Sequence, residues 1–264
     1  MAEAGDLYFE SPPVEEVALS AHYQPSPEFQ SLSLGIFWDQ LRAEYPRVEE
    51  HPVQPAIIED LSGLPKATPR MLFLGTGVPD RMFRFKSADG SRLVQAQRDS
   101  IGVNWLRQSS EDVYPRYDDV RGQFERALEA LAHVSERLAM PALRLLQVEV
   151  AYVNAVPVGE PPFDVLRSIL LPWSGEFGNE IPSAESAAVT TTHRIDRGRL
   201  HLGANPWHRP RDGKLCFMLT VTSHVQPLDG QNVLPCMDEA HDWARRGFVA
   251  MTTAEAQTAW RRVR

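Results

Sequence analysis

The residues in this sequence best equipped for chemistry are amides and aromatics rather than the usual catalytic types. Gln95 and Gln97 share one face of a candidate strand, and Asn104 lies on the next strand. A primary amide carries donors and an acceptor together, so a row of them can read a peptide or a base edge. The plainer alternative is that they satisfy buried backbone or one another. Trp105 adjoins them and reads more naturally as core than as a stacking platform. Tyr114, Arg116 and Tyr117 stand at the start of a long helical pattern, where free N–H groups can take an anion. Asp118 and Asp119 follow at once and already complement that end of the helix dipole. Tyr152 and Asn154 end a central apolar strand, Glu15 lies at the mouth of the first strand, and Arg107 closes a three-strand meander. These residues, Glu15, Gln95, Gln97, Asn104, Arg107, Tyr114, Arg116, Tyr117, Tyr152 and Asn154, are the binding candidates.

No catalytic residue stands out. The 8 histidines form no H-x-H, HExxH or HxxxH pair. His193, His201 and His224 fall on adjacent candidate strands, so a metal cluster is conceivable, but no carboxylate spacing supports one and no metal ligand is assigned. Asp238, Glu239, His241 and Asp242 read as a solvated helix face rather than an acid/base pair. Gly75 and Gly77 make a lone GxG with no continuation into a helix, so no dinucleotide or other cofactor is expected. G-x-S-x-G and the P-loop are missing. The reading leans away from an enzyme, although distant residues can assemble an active site. The 2 cysteines, Cys216 and Cys236, are too few for a disulfide framework and read as small buried side chains in a reducing compartment.

The composition, 43% hydrophobic and 23% charged, is that of a globular chain able to bury a large core. Its net charge of −8 is unevenly placed. Residues 1–60 hold 12 Asp and Glu against 2 Arg, whereas the remainder is slightly basic. An acidic segment disfavours nucleic acid, which needs a basic footprint, and suits a basic protein partner. The N-terminus lacks the pattern of a signal peptide and no apolar run is long enough to span a membrane, which points to the cytoplasm.

Positioning these side chains requires a sheet and helices. Residues 17–23 alternate as a strand after the paired prolines. Residues 32–45 have helical spacing, with Leu34, Phe37, Trp38, Leu41 and Tyr45 on one face. Residues 46–69 are proline-rich and read as a long loop with a short strand at 56–59. A strand is expected at 70–74, and then a meander: 81–86, an Asp89-Gly90 turn, 91–97, a turn at Asp99-Ser100, and 101–107. A long helix follows, Pro115 in its first turn and its apolar stripe running from Tyr117 to Leu138. Residues 143–156 form a central strand and 163–171 a short helix. Strands at 186–195, 199–204 and 215–225 precede a C-terminal helix. Thr252-Thr253-Ala254-Glu255 has the form of a capping box for a last helix ending in the terminal arginines. Strands and helices cluster rather than alternate, which makes the fold α+β with a mainly antiparallel sheet and a long packed helix. Three strands then a helix occur twice, so two similar halves are expected, 1–158 and 159–264, in one compact body.

Three stretches taken together resemble a sporadically distributed family of uncharacterised bacterial proteins of about this length. They are Pro12-Pro13-Val14-Glu15-Glu16-Val17; Gln97-x-Asp99 with Asn104-Trp105-x-Arg107 and Tyr114-Pro115-Arg116-Tyr117; and Tyr152-x-Asn154. The resemblance implies a patchily inherited cytoplasmic protein and, by association, a defence or toxin-neutralising module. The leading expectation is a non-catalytic protein that recognises a macromolecule, chiefly another protein, with a homo-oligomer admitted and a membrane excluded. The alternatives are an enzyme or small-molecule sensor with a pocket between sheet and long helix, and a nucleic-acid-binding accessory subunit.

Overall fold

A computed structural model of the chain describes residues 8–26, 29–30, 32–65, 81–158, 169–170 and 187–263. The order is β1 (Tyr8–Phe9), β2 (Val14–Tyr23), α1 (Ser33–Leu41), β3 (Arg47–Pro52), β4 (Arg81–Lys86), β5 (Arg92–Gln97), β6 (Ser100–Leu106) and α2 (Tyr117–Arg137), followed by β7 (Leu145–Pro157), β8 (Val189–Ile195), β9 (Gly198–His208), β10 (Leu215–Val225), α3 (Val233–Met251), α4 (Ala254–Ala259) and β11 (Arg262–Val263). Nine strands make one antiparallel sheet in the order β3-β4-β5-β6-β2-β7-β10-β9-β8, and β1 pairs with β11 in a separate ribbon. The fold is therefore α+β, as its clustered elements imply.

Period-2 alternation decides which face of the sheet is apolar. Val17, Leu19 and Ala21 of β2 pair with Trp105, Val103 and Ile101 of β6 on one side and with Tyr152, Val150 and Val148 of β7 on the other. This surface carries α2, over β6 and β2, and α3, over β10, β7 and β9, while α1 lies against α2. Val120, Phe124, Ala127 and Val134 of α2 are fully buried, the face that the 3.6-residue period marks. Burying a side chain such as Phe124 contributes roughly 1.5–3 kcal/mol. The β4–β5 turn is closed by Gly90 at φ 78, with Asp89 accepting from the Ser91 N–H.

The strand order is symmetric about the centre of the sheet. From the central β2–β7 pair, β2-β6-β5-β4 runs one way and β7-β10-β9-β8 the other, each half adding one long helix to the same face.

Several local expectations change. Residues 47–52 form an edge strand, β3, because the charged alternation Arg47, Glu49, His51 pairs with β4. Residues 56–59 join no ladder. Pro115 precedes α2 instead of entering it, since the N-cap is Arg116 at φ 77 and ψ 164. Thr253, not Thr252, caps α4, accepting from the Ala256 N–H. The Thr252 hydroxyl instead donates to the Phe248 carbonyl. The terminal arginines do not extend a helix: Arg261 turns at φ 54 and Arg262 enters β11. The strand expected at 70–74, the GxG at 75–77 and most of the helix expected at 163–171 lie outside the described residues.

Candidate functional site

The binding candidates divide between the two faces of the sheet. Tyr114, Arg116, Tyr117, Tyr152 and Asn154 come together on the helical side, in a pocket of about 800 Å³. The ends of β2 and β7 form its floor, the first turn of α2 and one side of α3 its walls, and the β1–β11 ribbon its rim.

Its aromatic groups are locked to one another. The Tyr152 hydroxyl lies 3.3 Å from that of Tyr114 and 3.0 Å from His241 Nδ1. The His241 ring stacks on Tyr117 at 3.7 Å, and the Tyr117 hydroxyl donates to Asp238 at 2.8 Å. Arg121 holds the same carboxylate with two hydrogen bonds of 2.7 and 3.1 Å. Arg116 reaches across the rim, donating to the Phe9 carbonyl at 2.7 Å and the Tyr8 hydroxyl at 3.0 Å, with its guanidinium 4.4 Å from the Tyr8 ring. Its backbone lies in a region nearly confined to glycine, a strain of order 1–3 kcal/mol that these contacts must hold. Asn154 is buried and donates to the Leu219 carbonyl at 3.3 Å. Arg245 also lines the pocket, and its buried Nε has no hydrogen-bond partner.

The electrostatics suit binding better than proton transfer. Burial pushes the Tyr114 hydroxyl up to about 12 and raises Tyr117 and Tyr152 well above the usual phenol range. His241 is driven down to about 3, by burial first and by the Arg245 charge second, with Asp238 opposing weakly. At neutral pH all four groups hold fixed protonation states far from their titration points, whereas acid–base catalysis wants a pKa near the working pH.

This yields a pH prediction. The groups facing His241 are Tyr117 on α2, Tyr152 on β7, and Asp238 and Arg245 on α3. The ring stays neutral in the folded chain down to about pH 3, whereas unfolded it takes a proton near 6.5. Between those values the unfolded state binds more protons, so stability rises with pH across the window and is lost as pH falls through it. Urea melts from pH 7 to 4 should show a His241-dependent loss on the order of a few kcal/mol. A His241→Phe variant should remove that part of the slope; an unchanged slope would rule His241 out as its source.

Gln95, Gln97 and Asn104 lie on the opposite, polar face, and Glu15 and Arg107 stand at the ends of β2 and β6. Arg84 donates to Gln95 at 3.0 Å, Gln95 to Asn104 at 2.8 Å and Asn104 to Glu16 at 2.6 Å, one chain running across β4, β5, β6 and β2. Glu15 meets Arg211, with Arg107 and Arg209 at 3.9 and 3.6 Å. Arg107 also donates to the Val14 carbonyl at 3.0 Å. The residues of the family-like stretches are thus structurally coupled: Asn104 and Arg107 clamp the segment that holds Val14 and Glu16, and Trp105 packs 5.6 Å from Tyr114.

Gln97 does something different. It accepts from the Gln54 N–H at 3.1 Å and donates to the Gln54 carbonyl at 2.7 Å. Gln147 likewise accepts from the Glu59 N–H at 2.9 Å and donates to the Ile57 carbonyl at 2.8 Å. Each amide replaces a strand partner, and together they strap residues 54–59 across the polar face. This strap carries a carboxylate that sequence reasoning missed. Glu59 is buried among Arg199, His201 and His224. Its carboxylate is drawn down to about 2, first by the His224 hydrogen bond, with Arg199 and His201 adding to it. His224 is raised to about 9: burial opposes its charge, but hydrogen bonds to Glu149 and Glu59 outweigh burial. Of the strand histidines considered together, His201 and His224 meet, with ring centroids 5.1 Å apart. His193 pairs with Leu200 on the apolar parity of its strand and bonds Thr191 instead.

The pocket's missed polar members, Asp238, His241, Asp242 and Arg245, sit on α3, a helix whose polar residues looked solvated. Only the placing of α2 beside α3 reveals them. No family model matches the chain, and no curated protein matches it. Among the described residues no helix is long and apolar enough to cross a membrane.

Proposed function

We propose that the protein is a ligand-binding recognition protein, and that the pocket between α2, α3 and the end of β7 takes a planar organic molecule bearing a carboxylate. The observation that carries this reading is the pocket itself: tyrosine and phenylalanine walls around Arg245, whose guanidinium lies 3.6 Å from the Asp242 carboxylate while its buried Nε–H has no hydrogen-bond partner. Such a donor costs about 1–3 kcal/mol to leave unmade, and a carboxylate oxygen satisfies it. Walls of Tyr114, Tyr117, Tyr152 and Phe248 suit a flat apolar body. Fixed protonation states support recognition over turnover. Of the features that favour a macromolecular partner, the amides Gln95, Gln97 and Asn104 are engaged within the fold, which leaves that alternative resting on the acidic N-terminal segment.

The test is a thermal-shift panel of aromatic monocarboxylates with their uncharged amides as controls. A ligand at a hundredfold excess over its Kd stabilises by about 2.7 kcal/mol, a rise of several degrees. At least one acid should shift the wild type and leave Arg245→Met unmoved, while its amide shifts neither. If no acid shifts the wild type, or Arg245→Met responds equally, the reading fails.

A further inference from the structure

We propose that Glu59, His201 and His224 form a binding site for one divalent transition-metal ion, zinc foremost, which fastens the 54–59 strap to the polar face of the sheet. The site is separate from the pocket, and its test is independent of that reading.

Geometry carries the proposal. Glu59 Oε1 lies 2.7 Å from His201 Nε2 and 2.9 Å from His224 Nδ1, and the three candidate ligand atoms all lie within 4.8 Å of one another. A tetrahedral ion with bonds of about 2.0–2.1 Å spaces its ligands about 3.3 Å apart, so Glu59 Oε1 would retreat by roughly half an ångström and the two imidazole nitrogens, within 4.8 Å of each other, would close on the ion. The ion would sit where two imidazole nitrogens now converge on one carboxylate oxygen, and its binding would release to solvent the proton that His224 Nδ1 directs at Glu59.

The atoms that would face away from the metal are each held as well. Glu59 Oε2 accepts from Arg199 at 2.5 Å, His201 Nδ1 lies 3.2 Å from the Thr192 hydroxyl, and His224 Nε2 lies 3.0 Å from Glu149 Oε2. Fixing the far nitrogen of a ligating histidine with a carboxylate or hydroxyl is the usual means of orienting it. Two imidazoles and one carboxylate suit zinc and its transition-metal neighbours, whereas magnesium and calcium prefer all-oxygen sets.

Access is one-sided. The Glu59 and His224 side chains are 7% exposed and His201 is 30% exposed. An ion can enter past His201, and a water can complete its coordination there. The three ligands come from the strap, β9 and β10, so the ion would close a link between segments far apart in sequence.

The experiment uses the whole chain, stripped with EDTA and retitrated with Zn²⁺ and Co²⁺. Wild type should bind about one equivalent, with the visible absorption of low-coordinate Co²⁺. His193→Ala, on the opposite face, should bind as wild type does. Thr192→Val should bind about 10-fold more weakly. His201→Gln is the decisive variant, because it keeps a donor near Glu59 but is a poor ligand. It should fold as wild type and lose Co²⁺ absorption. Restored Zn²⁺ should slow proteolysis within residues 54–65 of the wild type and of His193→Ala, and not of His201→Gln. If stripped wild type takes up neither ion, or His201→Gln binds as tightly as wild type, the cluster is a hydrogen-bonded ion network only and the proposal falls.

Discussion

Arg199→Met should lower stability by about 3–5 kcal/mol, seen as a fall in the urea midpoint at unchanged slope. Its side chain is 4% exposed, and it donates to Glu59 Oε2 and, at 2.5 Å, to the Gly63 carbonyl. Removing the guanidinium leaves a buried carboxylate with only imidazoles beside it and a carbonyl without its donor. Methionine fills much of the volume, so the loss is electrostatic rather than a cavity. Glu59→Gln in the Arg199→Met background should then cost less than it does alone, since the charge it removes is no longer neutralised. Measured on EDTA-treated protein, the cycle should give a coupling above about 1 kcal/mol. Additive single effects, or an Arg199→Met midpoint near that of wild type, would show that the pair is not the fastening it looks to be.

Gly198→Ala should be more damaging still. A Cβ at this position would stand 1.7 Å from the His224 carbonyl oxygen and 2.8 Å from its carbon. Both are backbone atoms of the neighbouring strand, so no side-chain rotation relieves the clash. Either the β9–β10 ladder opens at Gly198–Val225 or the β8–β9 turn shifts, and both disturb Arg199 and His224. The expected cost exceeds about 4 kcal/mol, at the extreme for a single substitution. The variant should show no cooperative melt or collect in the insoluble fraction. Gly122→Ala is the contrast. Its nearest neighbour would be the end of the Arg126 side chain at 4.0 Å, and alanine is favoured in a helix by up to about 1 kcal/mol. Soluble Gly198→Ala melting with wild type would refute the packing at this turn.

Period made the long elements legible. The stripe of α2 and the alternation of β2 and β7 follow from burial on one face, so fold class and most strands could be read directly. Strand β3 was not, because its charged alternation belongs to an edge strand and looks like a loop. The β1–β11 ribbon was hidden because two-residue strands carry no period. Part of the pocket could be named in advance: Tyr114, Arg116, Tyr117, Tyr152 and Asn154 are an unusual density of aromatics and amides near element ends. The rest could not. His241 and Asp238 look solvated until α3 is laid beside α2, and that neighbourhood follows from sheet order. Glu59 shows the same limit in a loop. Its partners are 140 to 165 positions away, and no local pattern marks a carboxylate that only a distant strand will cover.

The central pair also fixes when the molecule can become whole. Val14 pairs with Asn154 and Tyr23 with Leu145, so the chain must close a loop of more than a hundred residues before the two middle strands meet. Each meander can zip locally through its own turns, but the seam between them is non-local and its closure entropy falls due before any contact repays it. A chain emerging from its N-terminus therefore holds β2 and β6 with one apolar strand edge unpaired until β7 exists. The half-made protein presents an open edge that the finished one does not, and the interval before β7 arrives is when it is most exposed to pairing with another chain.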